Sequence, residues 1–267
     1  MEVALIKDGK ASGKKKLPSQ FQEPIRFDLI KRAVVAIHSH LRQAYGALVG
    51  AGQRQVGKLS RRRRKYKGSY SHGISRVPRK TLNRRGERMF WVGAVAPGTV
   101  GGREAHPPKS WKIWDQKINK KENRKAIRSA LAASLDVQLV KARGHAVPKE
   151  FPFIISGDLE KIQKTQKLLD ELNSMGLADE LARASVKNVR AGHGKSRGRR
   201  YQRALGPLIV VSEECPLIQA ASNIPGVDAI TVNKVNCDLL APGAQPGRLT
   251  LYTDKAIDRL AKEDLFN

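Results

Sequence analysis

Between Gly50 and Lys109 the chain runs for sixty residues without sustaining an apolar period of either 3.6 or 2. Sixteen Lys and Arg side chains in this stretch face only two acids, Glu87 and Glu104, a net of +14. Such a segment has too little apolar surface to offset the entropy of ordering it, so it cannot build a core of its own. Unstructured insertions longer than about 12–15 residues are uncommon inside compact chains unless they are functional or ordered by a partner. The expected organisation is therefore one globular core made from residues 1–49 and 110–267, with residues 50–109 inserted as a long, basic, extended loop. With about 27 residues running each way, at roughly 3.3 Å per residue, the loop could reach about 90 Å, whereas a domain of about 210 residues has a radius of gyration near 17 Å.

Regular patterning returns on both sides of the insertion. Glu2-Val3-Ala4-Leu5-Ile6 predicts a short strand leading into a Gly/Lys turn. Asp28 to Tyr45 predicts a helix with Asp28 as N-cap and Leu29, Ala33, Ile37, Leu41 and Leu48 along an i, i+4 line. Further helices are expected over Lys121–Lys141, Asp158–Ser174 with Gly176 as the stop, Ala178–Lys187 and Asp254–Leu265. Strands are expected over Phe151–Ser156, Leu208–Ser212, Ala229–Val232 and Arg248–Tyr252. Apolar strands alternating with helices predict an α/β fold with an open, mostly parallel sheet flanked by helices.

The whole chain carries 51 Lys and Arg against 24 Asp and Glu, a formal charge of +27. Charge of this size is normally held by a polyanion, either nucleic acid or, less often, an anionic membrane surface. The longest apolar runs, such as Ala130 to Leu135 and Leu208 to Val211, fall far short of the roughly 20 residues that span a bilayer, so no membrane segment is expected. Met1 to Lys10 lacks the basic-then-apolar pattern of an export signal, which favours a cytoplasmic location. Cys215 and Cys237 stand without paired histidines nearby, so neither a zinc site nor a disulfide is expected, and both read as ordinary buried or half-buried thiols.

Within the insertion, the run Arg61-Arg62-Arg63-Arg64-Lys65-Tyr66-Lys67 reads as a localisation-type patch, a solvated run or an RNA-contacting element. The last reading is preferred because cations continue around it, at Arg54, Lys58, Arg76, Arg79, Lys80, Arg84, Arg85, Arg88, Arg103 and Lys109, with His106 among them. Arginine predominates, which suits forked bonding to phosphates and stacking on bases. Tyr66, Tyr70, His72, Phe90 and Trp91 are interleaved and offer flat faces to unstacked bases. Phe90 and Trp91 equally suit a role as an anchor for one end of the loop.

A second cluster, Lys187 to Arg203, holds seven Lys and Arg and no acid, including Arg190, Lys195, Arg197, Arg199, Arg200 and Arg203, with His193 between them. Gly194-Lys195-Ser196 imitates the end of a phosphate-binding P-loop, but that motif requires glycine where this chain has Val189. Glycines at 192, 194 and 198 let the backbone approach phosphates, so the segment reads as an RNA-contacting loop. The six histidines do not gather into a ligand set and are expected to be mostly solvated or in contact with RNA. No nucleophile, base and acid arrangement stands out, so no catalysis, cofactor or metal is expected.

The stretch from Arg190-Ala191-Gly192 through Gly194-Lys195, Arg197-Gly198-Arg199-Arg200 and Tyr201 resembles the signature of the large-subunit ribosomal protein L4 family in its archaeal and eukaryotic form. Arg76-Val77-Pro78-Arg79, Gly101-Gly102-Arg103, Ala105-His106-Pro107-Pro108-Lys109, Arg128 to Ser134 and Arg143-Gly144-His145 are similar to it in the same order. So are Asn223 to Val227, Leu240-Ala241-Pro242-Gly243 and Gly247-Arg248-Leu249. The absence of a long basic extension beyond Asn267 points to an archaeal source. The resemblance implies a non-enzymatic constituent of the large ribosomal subunit that binds its ribosomal RNA and aids its folding and assembly. It also implies an internal loop that helps line the nascent-peptide exit tunnel beside the L22-type protein, with Tyr70, His72 and Arg76 as candidates for the tip. Expected partners are ribosomal RNA, neighbouring ribosomal proteins and the nascent peptide, without membrane or homo-oligomer. The competing readings are an RNA-processing enzyme, which would need a polar cleft with a perturbed acid or base, and a DNA-compacting architectural protein.

Overall fold

The computed structural model describes residues 2–7, 9–51, 57–65, 68–94 and 96–267. Its chain divides into two compact units, Met1–Leu41 with Asp115–Asn267, and Arg42–Trp114.

The first unit opens with β1 (Glu2–Lys7), β2 (Lys10–Lys16) and α1 (Phe27–His40). The second unit supplies the next two elements, β3 (Arg79–Arg85) and β4 (Arg88–Gly93). After it come α2 (Lys120–Ser134), α3 (Val137–Ala142), β5 (Phe153–Ile155), α4 (Thr165–Ser174), α5 (Ala178–Ser185), and the two-residue strands β6 (Asn188–Val189) and β7 (Tyr201–Gln202). The chain finishes with β8 (Leu208–Val211), α6 (Pro216–Ser222), β9 (Asp228–Thr231), α7 (Cys237–Leu240), β10 (Thr250–Thr253) and α8 (Asp254–Lys262).

Six strands form one sheet in the order β2-β1-β5-β10-β8-β9, in which only the β1–β2 pair is antiparallel. The register explains why the central strands are apolar throughout. Leu5, Ile154, Tyr252, Val210 and Ile230 form one row across the sheet, and side chains on a strand alternate between faces. That row packs with Ile30, Val34, Ala130, Leu131 and Ile257 on one side. Ile209, Leu251 and Phe153 point the other way, against Leu168, Leu172, Leu181 and Leu217. Helices α1, α2, α7 and α8 thus cover one face, and α3 to α6 the other. The α/β fold with an open, mostly parallel sheet is as expected. Among the described residues no helix is long and apolar enough to cross a membrane.

Several elements differ from expectation. The supposed Gly/Lys turn is mostly β2, an exposed lysine-rich edge strand. Lysine on an edge discourages pairing with further strands, which gives this polar sequence a strand role that apolar periodicity does not reveal. Helix α1 ends at His40 rather than Tyr45, and Asp28 lies in its first turn, bonded to Arg26, instead of capping it. The helix expected over 121–141 is two, because Asp136 Oδ1 accepts the backbone N–H groups of Gln138 and Leu139 and starts α3 afresh. The helix expected from Asp158 begins only at Thr165, after a 3-10 turn over Gly157–Lys161.

In the second unit β3 and β4 form an antiparallel hairpin that the sequence pattern does not announce. Ala94 and Ala96 are the only buried apolar side chains in this unit among the described residues.

Candidate nucleic-acid interface

In the first unit the cationic segment 187–203 leaves α5, pairs as β6 with β7, and returns to the sheet at β8. Its turn is a 3-10 segment, His193–Arg197, bracketed by Gly192 and Gly198 at φ +74° and +78°, backbone conformations that only glycine adopts without strain. The Arg190 N–H donates to the Arg200 carbonyl at 2.7 Å, and its Nε donates to the Arg199 carbonyl at 3.2 Å. Arg190 therefore braces the hairpin with its side chain. The other cations, Lys187, Lys195, Arg197, Arg199, Arg200 and Arg203, are exposed, as is His193. Lys187 Nζ lies 3.9 Å from the Tyr201 ring centroid and the Arg200 guanidinium 5.7 Å from it.

The base of this hairpin is held by buried polar groups. Arg183 on α5 donates to the Leu205 carbonyl at 2.7 Å and to both oxygens of Glu180. Glu180 also accepts the Ala146 N–H and lies 2.7 Å from His145 Nδ1. Desolvation alone would raise the Glu180 pKa, but hydrogen bonds from Arg183, His145 and Ala146 outweigh it and hold the carboxyl down at about 2. His145 is thus a buried structural residue, an exception to the expectation that the histidines are mostly solvated or on RNA. Arg143 likewise turns inward to the Pro242 and Gln245 carbonyls, and burial with nearby Arg248 and Arg183 lowers its pKa.

In the second unit the hairpin β3–β4 carries Lys80, Arg85 and Arg88 exposed and Arg79 half-buried, while Arg84 is exposed and donates to the Gly86 carbonyl. The run Arg61 to Lys65 is exposed, and its turn reaches a left-handed φ of +54° at Arg64. Arg63 and Arg76 both lie over the Tyr70 ring, at 5.7 and 5.6 Å, so this pair of cations is gathered on one aromatic plane. His72 is exposed two residues further on, and Ser71 and Gly73 around it have positive φ. Lys58 and Lys109 are exposed, as is His106, while Arg103 is half-buried. Arg54, Tyr66 and Lys67 lie outside the described residues.

One cluster escaped the sequence reading. Tyr45 and Trp114 stack with ring centroids 5.0 Å apart, and Arg42 and Lys112 sit 4.0 and 4.2 Å from the Trp114 centroid. Nothing local announces a pairing across some seventy residues of chain.

The electrostatics separate these surfaces from the rest of the molecule. Elsewhere in the first unit 26 Lys and Arg stand among 22 Asp and Glu, and several form ion pairs, as in Lys15 with Asp258, Arg32 with Glu122, Arg128 with Glu23, Lys234 with Glu214 and Arg259 with Glu263. Among the described residues, none of Lys187, Lys195, Arg197, Arg199, Arg200 and Arg203 has a carboxylate within ion-pair reach, and the same holds for Arg61, Arg62, Arg76, Lys80, Arg85 and Arg88. Exposed, unmatched arginines beside tyrosine and tryptophan faces form the donor set that suits phosphates and unstacked bases. The buried carboxylates Glu160 and Glu180 are fully engaged by Ser212, Thr253, His145 and Arg183, leaving neither poised as an acid or base.

An α/β unit whose cationic excess is concentrated in residues 187–203, and a second unit rich in unmatched arginines beside aromatic faces, fit the class of RNA-binding architectural proteins. Residues 15–263 match the model of the "Ribosomal protein L4/L1 family". The chain is 48% identical over 268 residues to the large ribosomal subunit protein uL4 of Nanoarchaeum equitans, covering 100% of both chains. It is 41% identical to the proteins of the same name from Archaeoglobus fulgidus, over 95% of each chain, and Methanococcoides burtonii, over 94% of each. The chain belongs to the ribosomal protein L4/L1 family and is of the archaeal type.

Proposed function

We propose that this protein is a structural constituent of the large ribosomal subunit in the cytoplasm, where it binds large-subunit ribosomal RNA and supports its folding and assembly without catalysing a reaction. The observation that carries this reading is the segregation of charge. Outside residues 187–203 the first unit carries 26 Lys and Arg against 22 Asp and Glu, whereas residues 187–203 carry seven against none and the Arg42–Trp114 unit eighteen against two, an excess that awaits phosphates. Replacing condensed counterions on RNA by these side chains supplies sequence-independent affinity. The three-dimensional arrangement of the donors then selects a folded RNA surface over a generic duplex.

In finer detail, the Arg42–Trp114 unit is the arm that enters the ribosomal RNA and helps line the nascent-peptide tunnel. Tyr70, His72 and Arg76 stand nearest the tunnel and its peptide, close to the L22-type protein. Support for this comes from the unit's described residues, of which only two alanines are buried apolar side chains, and from its unmatched arginines.

The test is sedimentation of a native lysate through a sucrose gradient after a high-salt wash, following the protein by mass spectrometry. Co-migration with the large subunit at near-equal stoichiometry with its other proteins is expected. Release to the top of the gradient, or migration with DNA, would overturn the proposal.

A further inference from the structure

The second unit contains a cleft of about 710 Å³ between segment 58–62 and the β3–β4 ribbon, within the ~300–1,000 Å³ range of ligand pockets. Its walls follow from strand geometry. Along β4, Met89 and Trp91 are half-buried while Arg88, Phe90 and Val92 are exposed, so alternate residues give one face to the cleft and the other to solvent. An antiparallel bridge between Lys58 and Arg79 brings the opposite wall alongside β3. The approach is close enough that a Cβ on Gly57 would fall 2.7 Å from both the Arg79 carbonyl oxygen and the Ala94 Cβ.

Arg79 is the residue that marks this cleft as a site. Its guanidinium carbon lies 5.8 Å from the Trp91 centroid, and Nη2 donates to the Ser75 carbonyl at 2.9 Å. Its Nε is buried and has no hydrogen-bond partner. A charged donor closed away from water without an acceptor is costly, so Arg79 is held at this wall by its other contacts. Lys58, Arg61, Arg62 and Lys80 line the same cleft and are exposed. A phosphate by itself would call for those cations but gains nothing from Trp91 and Met89. A nucleotide uses both, because its base has a π-face for the indole and ring acceptors for a guanidinium N–H.

We infer that this cleft is a pocket for a single unstacked nucleotide of the bound RNA. Its base lies against Trp91 and Met89 beside the Arg79 side chain, and has its flanking phosphates held by Lys58, Arg61, Arg62 and Lys80. The inference rests on the RNA-binding reading above and adds recognition of a base to what was otherwise a phosphate-binding surface.

The experiment uses the full-length protein carrying Trp111→Phe and Trp114→Phe, which leaves Trp91 as the sole tryptophan. It is titrated with a short single-stranded RNA of mixed sequence and with an abasic ribose-phosphate strand of equal length. Quenching of Trp91 emission by the first strand and not the second is expected. Arg79→Gln is expected to weaken the base-containing strand about tenfold while leaving the abasic strand within a factor of about two. Trp91→Leu, which keeps the apolar bulk, must reproduce that selective loss. Equal affinity for the two strands with Trp91 emission unchanged, quenching by both, or equal weakening of both by either variant would overturn the pocket and leave RNA binding intact. Binding of neither strand would sink the pocket and the RNA-binding reading together.

Discussion

His145 Nδ1 lies 2.7 Å from Glu180 Oε1, and both side chains are closed off from solvent. Through Glu180 this contact joins the segment after α3 to α5, and Arg183 extends it to the Leu205 carbonyl at the exit of the basic hairpin. A buried carboxylate thus fixes the base of a surface whose own residues are almost all exposed. Positioning of the RNA-facing cations is in this way separated from the cations themselves.

Glu180→Gln should therefore lower stability by roughly 3–5 kcal/mol, the range seen when one partner of a buried ion pair is removed. The wild-type carboxyl is held near 2, below its ordinary 4.5, by Arg183, His145 and Ala146 against the opposing desolvation. A depressed folded-state pKa contributes stability above the unfolded value and loses it as pH falls, here from about 4.5 toward about 2, on the order of 3 kcal/mol in all. Urea unfolding at a series of pH values checks this, since the difference between wild type and variant should shrink across that window. A pH-independent difference would remove Glu180 from this role.

Neutralising Arg197, Arg199 and Arg200 together as Gln should weaken binding to large-subunit ribosomal RNA broadly across sequences, without loss of thermal stability. If each contacts one phosphate, the slope of log affinity against log salt should become shallower by about two to three, at roughly 0.7–0.9 per contact. Filter binding across a salt series measures it. An unchanged slope would place these side chains off the RNA.

The parallel sheet was legible because Leu208–Val211 is buried on both faces and reads as a continuous apolar run. The basic surfaces were legible because cations with no nearby acid have few other uses. What was hidden depends on distant partners. The i, i+4 line through Leu41 and Leu48 suggested a longer α1, yet neither residue finds a core to cover it, at 76% and 63% exposed. The apolar line from Ala126 to Val140 continues across a break, so only the Asp136 cap reveals two helices. His145 looks like any exposed histidine until Glu180, thirty-five residues later, is seen against it. The same applies to Trp114, whose stacking partner Tyr45 lies at the far end of the insertion.

Replacing Arg42–Trp114 by a short Gly/Ser linker should leave the remaining unit folded. The ends to be joined are already tied, since the Gln116 N–H donates to Ser39 Oγ at 2.9 Å and His40 Nε2 lies 3.2 Å from the Gln116 carbonyl. Both apolar clusters that clasp the six-stranded sheet lie wholly outside the removed segment. Calorimetry should show one cooperative transition, with a Tm within a few degrees of the full chain, alongside reduced affinity for ribosomal RNA. Non-cooperative melting would show that the core depends on the segment.

Arg248, two residues before β10, is 1% exposed; it donates to the Gly206 carbonyl at 3.0 Å and the Leu239 carbonyl at 3.1 Å and pairs with Asp228. It thus ties the entry points of β8, β9 and β10, the three strands at one side of the sheet. The planar fork of a guanidinium spreads its donors over three nitrogens and reaches all three acceptors at once, whereas the single nitrogen of an ammonium cannot. Arg248→Lys and Arg248→Met should each cost about 3 kcal/mol, because two buried carbonyls lose their donors. Asp228→Asn should cost less than about 1 kcal/mol, since the carboxylate is 45% exposed on its side chain and water can take over its part. Guanidinium denaturation midpoints of the three variants decide the matter. Equal losses for Asp228→Asn and Arg248→Met would mean that the ion pair holds these strands and the carbonyl bonds add little.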